Sequence, residues 1–144
     1  VGPCGPCCEI FYDRGDAYGP ADRNIGENDR YTEIWNNVFM QYYRDESGTL
    51  TQLPQMNVDT GMGLERLCMV LQAKETIFET DLFENILQNI EKLTTNTYPA
   101  FSKKESDFDD FEKKSTRSFR IVTDHLRAST FLLTAGVIPS NEGR

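Results

Sequence analysis

Residues 58–67 read VDTGMGLERL, and here a strand gives way to a helix. Residues 56–60 have the character of a short strand, which Gly61 and Gly63 interrupt. Leu64, Leu67, Cys68 and Leu71 then recur at helical spacing and mark one apolar face. Sheet followed by helix is the local architecture, and the fold class it implies is α+β.

Upstream, residues 31–43 (YTEIWNNVFMQYY) form the most strand-like segment: aromatic and β-branched residues without Gly or Pro. Residues 45–48 signal a turn, residues 49–53 return as an antiparallel partner, and Pro54 is expected to stop that strand. Residues 9–12 predict a short strand, residues 2–6 a tight loop, and residues 14–28, rich in Gly, Asp, Asn and Pro, a surface loop. Downstream of Ile77 the character changes. Leu82, Ile86, Ile90 and Leu93 give a helix over 81–93, with Asp81 and Glu84 resembling a capping box. Residues 94–99 break it. Residues 103–114 mix both charges densely and read as a solvated loop. A second long helix is predicted over 117–135, with Phe119, Val122, Leu126 and Leu133 on one side and Gly136 at its C-terminal cap. The expected division is therefore 1–76, mainly β, and 77–144, mainly α, with no internal repeat.

The chain has 144 residues, 38% of them hydrophobic, enough for a folded core and too many for a disordered chain. Its apolar runs are too short for a membrane span, so no membrane partner is expected. The opening VGPCGPCCEI has neither the basic nor the apolar region of a signal peptide. It reads as a cut into a larger protein. A net charge of −8 argues against a general nucleic-acid binder, because phosphate contacts need Lys and Arg. A nucleic-acid partner would need a local patch or parts outside these residues. The acidic balance and four cysteines without secretory signals point to a reduced, cytoplasmic setting.

Several residues are candidates for chemistry. Asp59 ends a strand, where a carboxylate can hold a substrate ammonium. Thr60, Gly61 and Gly63 lack bulk, so backbone can approach a ligand closely. Arg66 lies in the first turns of the helix, where a guanidinium can grip phosphate oxygens in a fork. The plainer alternative is a Gly turn with Glu65 and Arg66 solvated. Strand alternation places Ile34, Asn36, Val38 and Met40 on one face and Trp35, Asn37 and Phe39 on the other. Asn36 can hydrogen-bond a ligand and Val38 can limit a pocket; a half-exposed Asn in a sheet is the plainer reading. Cys4 and Cys7 have metal-like spacing, but no second Cys or Cys/His pair completes a zinc site, and a strand rather than a helix follows. No zinc is expected. His125 suits a helix-packing role beside an acid. Arg117, Arg120 and Arg127 form either a modest basic stripe or an ordinary solvated face.

Taken together, these segments resemble the alanyl-tRNA synthetases of class II. GPCGPCCE is similar to that family's GPCGPCSE, with Cys8 in place of Ser. EIWNNVFMQYYRD resembles its EIWNxVFMQ strand, and VDTGMGLERL its version of class II motif 3. TDLF, RIVTDHLRA and GVIPSNEGR follow in the family's order. The resemblance covers nearly the whole chain and is weak over 13–28 and 94–115. It implies an antiparallel class II sheet followed by the start of a helical tRNA-recognition domain. It also implies roles. Ile34, Trp35, Asn36, Gly63 and Arg66 would contact ATP, with Arg66 on its terminal phosphates. Asn36, Val38, Asp59 and Gly61 would hold L-alanine, and Asn141 would read the acceptor stem of tRNA(Ala). ATP and Mg²⁺ are the implied cofactors. Class II motifs 1 and 2, the latter carrying an arginine for the α-phosphate, have no match here. The expectation is one part of a ligase, inactive alone. The alternatives are a non-catalytic tRNA- or adenylate-binding module of the same family, and a redox or zinc module built on Cys4, Cys7 and Cys8.

Overall fold

The computed structural model describes residues 1–21, 25, 28–102 and 104–141. The chain divides into two compact units, Val1–Ala73 and Lys74–Arg144. The first is a sheet with one short helix and the second is helical, so the fold is α+β.

The sheet of the first unit is antiparallel and built on one long central strand. β1 (Gly2–Cys4) and β2 (Cys7–Asp13) run one after the other along one side of β3 (Tyr31–Arg44). β4 (Leu50–Met62) runs along the other side. The segment GPCGPCC is thus extended rather than a tight loop: Cys4 pairs with Tyr42 and Cys7 with Val38. Its prolines lack an N–H, but the Pro6 carbonyl still accepts from the Phe39 N–H at 2.9 Å. Gly5 is required there, because a Cβ would stand 1.8 Å from the Phe39 carbonyl oxygen.

β3 and β4 are joined by a turn that Asp45 organises. Its Oδ1 accepts from the backbone N–H groups of Ser47 and Thr49, each at 2.9 Å, and Gly48 supplies φ 86°. Pro54 does not end the return strand. The register jumps from Met40↔Asn57 to Tyr42↔Gln52, and Pro54 falls in the unpaired bulge between, where its missing N–H breaks no ladder bond. The two short strands expected here are therefore one.

α1 (Leu64–Leu71) follows immediately, with Gly63 as its N-cap. Met69 is its buried residue, whereas Leu64 and Leu71 of the expected apolar face are exposed.

In the second unit, α2 (Asp81–Thr94) buries Phe83 and Leu87 and leaves Leu93 exposed. The expected capping box at Asp81 and Glu84 is absent, since Thr80 is the N-cap and its hydroxyl donates to the Ile77 carbonyl at 2.6 Å. Capping boxes form instead at Thr76 with Glu79 and at Asp109 with Glu112. The second of these starts α3 (Asp110–Thr134) seven residues ahead of the expected 117. Dense charge there marks the acidic first turn of a helix, which the helix dipole favours, rather than a loop. A short 3-10 helix at Glu105–Asp107 also interrupts the expected loop, and Phe108 is buried; Lys103 lies outside the described residues.

The core of this unit is Leu87, Tyr98 and Phe119, with Phe78, Ile90 and Ala100 packed against it. The Tyr98 hydroxyl accepts from Arg120 Nε at 2.8 Å and donates to Glu79 Oε1 at 3.2 Å. Burial pushes the Tyr98 phenol well above its ordinary range, although neighbouring Arg120 opposes this. Burial pulls the Arg120 pKa down, but its hydrogen bonds to Glu105 and Tyr98 outweigh that and keep it firmly charged. Of α3's expected apolar face only Phe119 is buried; Val122, Leu126 and Leu133 are exposed. No helix among the described residues is long and apolar enough to cross a membrane.

Candidate active site

The register of three adjacent strands assembles one face. Glu9 pairs with Asn36 and Asn36 with Gly61; one step along, Cys7 pairs with Val38 and Val38 with Asp59. Paired residues on neighbouring strands project to the same side, so Glu9, Asn36, Gly61, Val38 and Asp59 share a surface. The residues named from the family as alanine contacts are thereby brought together. Asn36 Nδ2 donates to Glu9 Oε1 at 2.9 Å. Asp59 is exposed, and its carboxylate has no hydrogen-bond or ion-pair partner among the described residues. A Cβ built on Gly61 meets nothing within 4 Å, so packing does not demand glycine there and the space above it is open.

A register shift between Ile10 and Phe11 extends this face. Trp35 pairs with Ile10 and Glu33 with Phe11, so Ile34 is the extra residue of a bulge. Strict alternation fails at that point, and Glu33 comes to the side of Glu9 and Phe11. A cavity of about 530 Å³ opens here, lined in part by Glu9, Phe11, Tyr31, Glu33 and Arg66. Arg66 Nη1 donates to the Glu33 carbonyl at 2.8 Å and lies 3.8 Å from Glu33 Oε2. That engages one of five guanidinium N–H donors, and the others remain for an anion. The Gly63 N–H donates to the Ile34 carbonyl at 3.0 Å, which ties the helix start to the bulge.

Trp35 lies on the other face. Its Nε1 donates to Thr60 Oγ1 at 2.5 Å, and Thr60 Oγ1 donates to Asn37 Oδ1 at 2.6 Å. The structure therefore does not bring Trp35 onto the surface of Asn36 and Asp59. The rim near Asn28 is fixed by Arg30, which reaches Asp13 through Nε at 2.6 Å and Nη2 at 2.8 Å, and Asp16 through Nη1 at 2.5 Å. The Arg30 hydrogen bond, followed by the Gly15 N–H, holds the Asp13 carboxyl below its usual range. Asp22, Arg23, Asn24, Gly26 and Glu27 of the expected loop lie outside the described residues.

Other candidates do not gather. Cys7 and Cys8 are consecutive strand residues on opposite faces and cannot converge on one ion. No group of three or more metal-ligating side chains is found among the described residues. The His125 side chain is exposed and has no hydrogen-bond partner among the described residues, rather than packing beside an acid. Arg120 is held by Glu105, Glu79 and Tyr98, and Arg127 lies over Phe83 and Phe131, so of the two readings of this helix the basic stripe is not the one that forms. Asn141 is exposed; Glu142, Gly143 and Arg144 of its motif lie outside the described residues. Glu9 and Glu33 escaped the reading of single segments. Only the pairing of β2 with β3 shows that their carboxylates enter this surface.

A family model described as tRNA synthetases class II (A) matches residues 1–144. The chain is 48% identical over 147 residues to the alanine–tRNA ligase of Clostridioides difficile (strain 630) and 48% identical over 146 residues to that of Acidithiobacillus ferridurans. It is 47% identical over 146 residues to the alanine–tRNA ligase of Nitrosomonas europaea. All of the chain is covered in each case, but it spans only 15–16% of the length of these relatives. The chain belongs to the class II (A) family of tRNA synthetases.

Proposed function

We propose that this chain is one wall of the active site of an alanine–tRNA ligase, which activates L-alanine with ATP and passes it to tRNA(Ala). The observation that carries the reading is the single strand face that gathers Asn36, Val38, Asp59 and Gly61 beside a cavity bearing Arg66. Asp59 supplies a carboxylate for the ammonium of alanine. The open space above Gly61, bounded by Val38, takes a methyl side chain. The alanine carboxylate then attacks the α-phosphate of ATP; a new P–O bond forms as the bond to pyrophosphate breaks. Arg66 and the start of α1, which has no side-chain cap, offer positive potential to the phosphates. Mg²⁺ would be held mainly by the phosphate oxygens of ATP and would neutralise their charge. In the second step a terminal ribose hydroxyl of tRNA attacks the mixed anhydride and releases AMP. No side-chain nucleophile is needed. Asn141 is assigned to the acceptor stem on the same family grounds.

The test is Asp59→Ala in the intact ligase. Alanine KM should rise by at least about a hundredfold, or activation should vanish, because a charge-assisted contact to the substrate is lost. The melting temperature should hold, since Asp59 is exposed. Unchanged alanine kinetics would overturn the role. The 144-residue chain alone should give no alanine-dependent ATP–pyrophosphate exchange, because it has no match to motif 2 and its arginine. Exchange by that chain would refute the view that this is one wall only.

A further inference from the structure

Asn36 is the one residue of the proposed alanine surface whose amide can face a ligand in either sense. Its nitrogen end donates and its oxygen end accepts, so what lies beside it decides what it recognises. Glu9 lies beside it on β2, and an ionised carboxylate only accepts. The bond from Asn36 Nδ2 to Glu9 Oε1, at 2.9 Å, therefore allows one orientation. Glu9, Asn36 and Gly61 stand in a row across three strands. With the nitrogen end drawn toward Glu9, the oxygen end turns toward the Gly61 side, where space is open and Asp59 is the next residue but one on β4. Oδ1 has no partner among the described residues.

We propose that Glu9 is a positioning residue for amine recognition: it holds the Asn36 amide so that Oδ1 joins the Asp59 carboxylate in accepting from the substrate ammonium. The proposal rests on the alanine-activating reading above and adds to it the residue that sets the polarity of this subsite. The resulting pair of acceptors suits a group carrying three N–H donors. Against a hydroxyl in the same place, with one donor, one acceptor is left unmatched.

The roles separate by substitution in the intact ligase, with alanine KM, ATP KM and kcat of ATP–pyrophosphate exchange measured separately. Glu9→Ala frees the amide and should raise alanine KM about tenfold, the equivalent of one hydrogen bond, with ATP KM held within about twofold. Glu9→Gln offers Asn36 both an acceptor and a donor, so it no longer fixes the amide and should recover at most part of the loss. A merely structural Glu9 would instead change alanine and ATP parameters together with the melting temperature, which would overturn the proposal. So would an unchanged alanine KM in Glu9→Ala, or a Glu9→Gln variant that keeps the wild-type alanine KM, since a side chain able to pair with either end of the amide would then serve equally well. Absence of alanine-dependent exchange in the wild-type ligase would refute the functional reading itself, and the role of Glu9 with it. That result is distinct from an active wild type with indifferent Glu9 variants.

Discussion

A Cβ on Gly5 would collide with the Phe39 carbonyl oxygen at 1.8 Å, whereas one on Gly61 would meet nothing within 4 Å. The two glycines look alike in sequence and answer to different demands. Gly5→Ala must push backbone apart and should cost about 3 kcal/mol in a urea melt. Gly61→Val adds a strand-favouring residue in open space. It should leave stability within about 1 kcal/mol of the parent while filling the space assigned to the alanine methyl. In the intact ligase its alanine KM should then rise at least about tenfold. A variant that melts early with normal alanine kinetics would show that Gly61 serves the sheet instead. Asp59 and Arg66 were legible from residue type and position beside a glycine turn. Glu9 and Glu33 were not, because what matters about them is the residue each faces on the next strand.

At the scale of elements, the β3–β4 hairpin depends on Asp45. The Ser47 hydroxyl, then the Thr49 N–H, holds its carboxyl below the ordinary value of 3.8. A depressed folded-state pKa gives stabilisation that is fully present above the unfolded value and lost as pH falls through the folded one. Amide-exchange protection at Gly48 and Thr49 should therefore be flat from neutral pH down to about pH 5 and fall only below about pH 4. Asp45→Ala should lower it at every pH. The start of α3 rests in the same way on Asp109, whose side chain accepts from the Glu112 N–H at 2.7 Å. Asp109→Ala should cost about 1 kcal/mol, read as fraying of the first turn. Both turn and helix were visible as patterns of residue type. The start of α3 is not legible locally, because a capping box within a run of mixed charge has the composition of solvated chain. The continuity of β4 is not legible in sequence because a proline normally ends pairing; here a bulge takes it up.

At the scale of the whole molecule, the second unit is held together within itself by Arg120. Its guanidinium links Glu79, Glu105 and the buried Tyr98 hydroxyl across 41 residues of sequence, from Glu79 to Arg120. Arg120→Ala would leave two carboxylates and a phenol facing one another. It should destabilise this unit by about 3 kcal/mol, whereas Arg120→Lys should recover only part, since an ammonium cannot reproduce the fork. Thermal melts followed by amide exchange in α3 would measure both. Sequence by itself determined the local features here: strand, glycine turn, helix, two longer helices and a motif set whose order identifies the family. Each depends on residues near one another in the chain, where periodicity and turn chemistry act. Tertiary structure alone decided which side chains of different strands share a surface. Strand register brought Glu9, Asn36, Val38, Asp59 and Gly61 to one face, and the bulge at Ile34 turned Glu33 toward them. Trp35 lies on the opposite face, where strand alternation already places it, and Arg120 is held in an internal ion network. The physical reason is that a one-residue change of register sends a strand's side chains to the opposite face, and only pairing between distant segments sets that register.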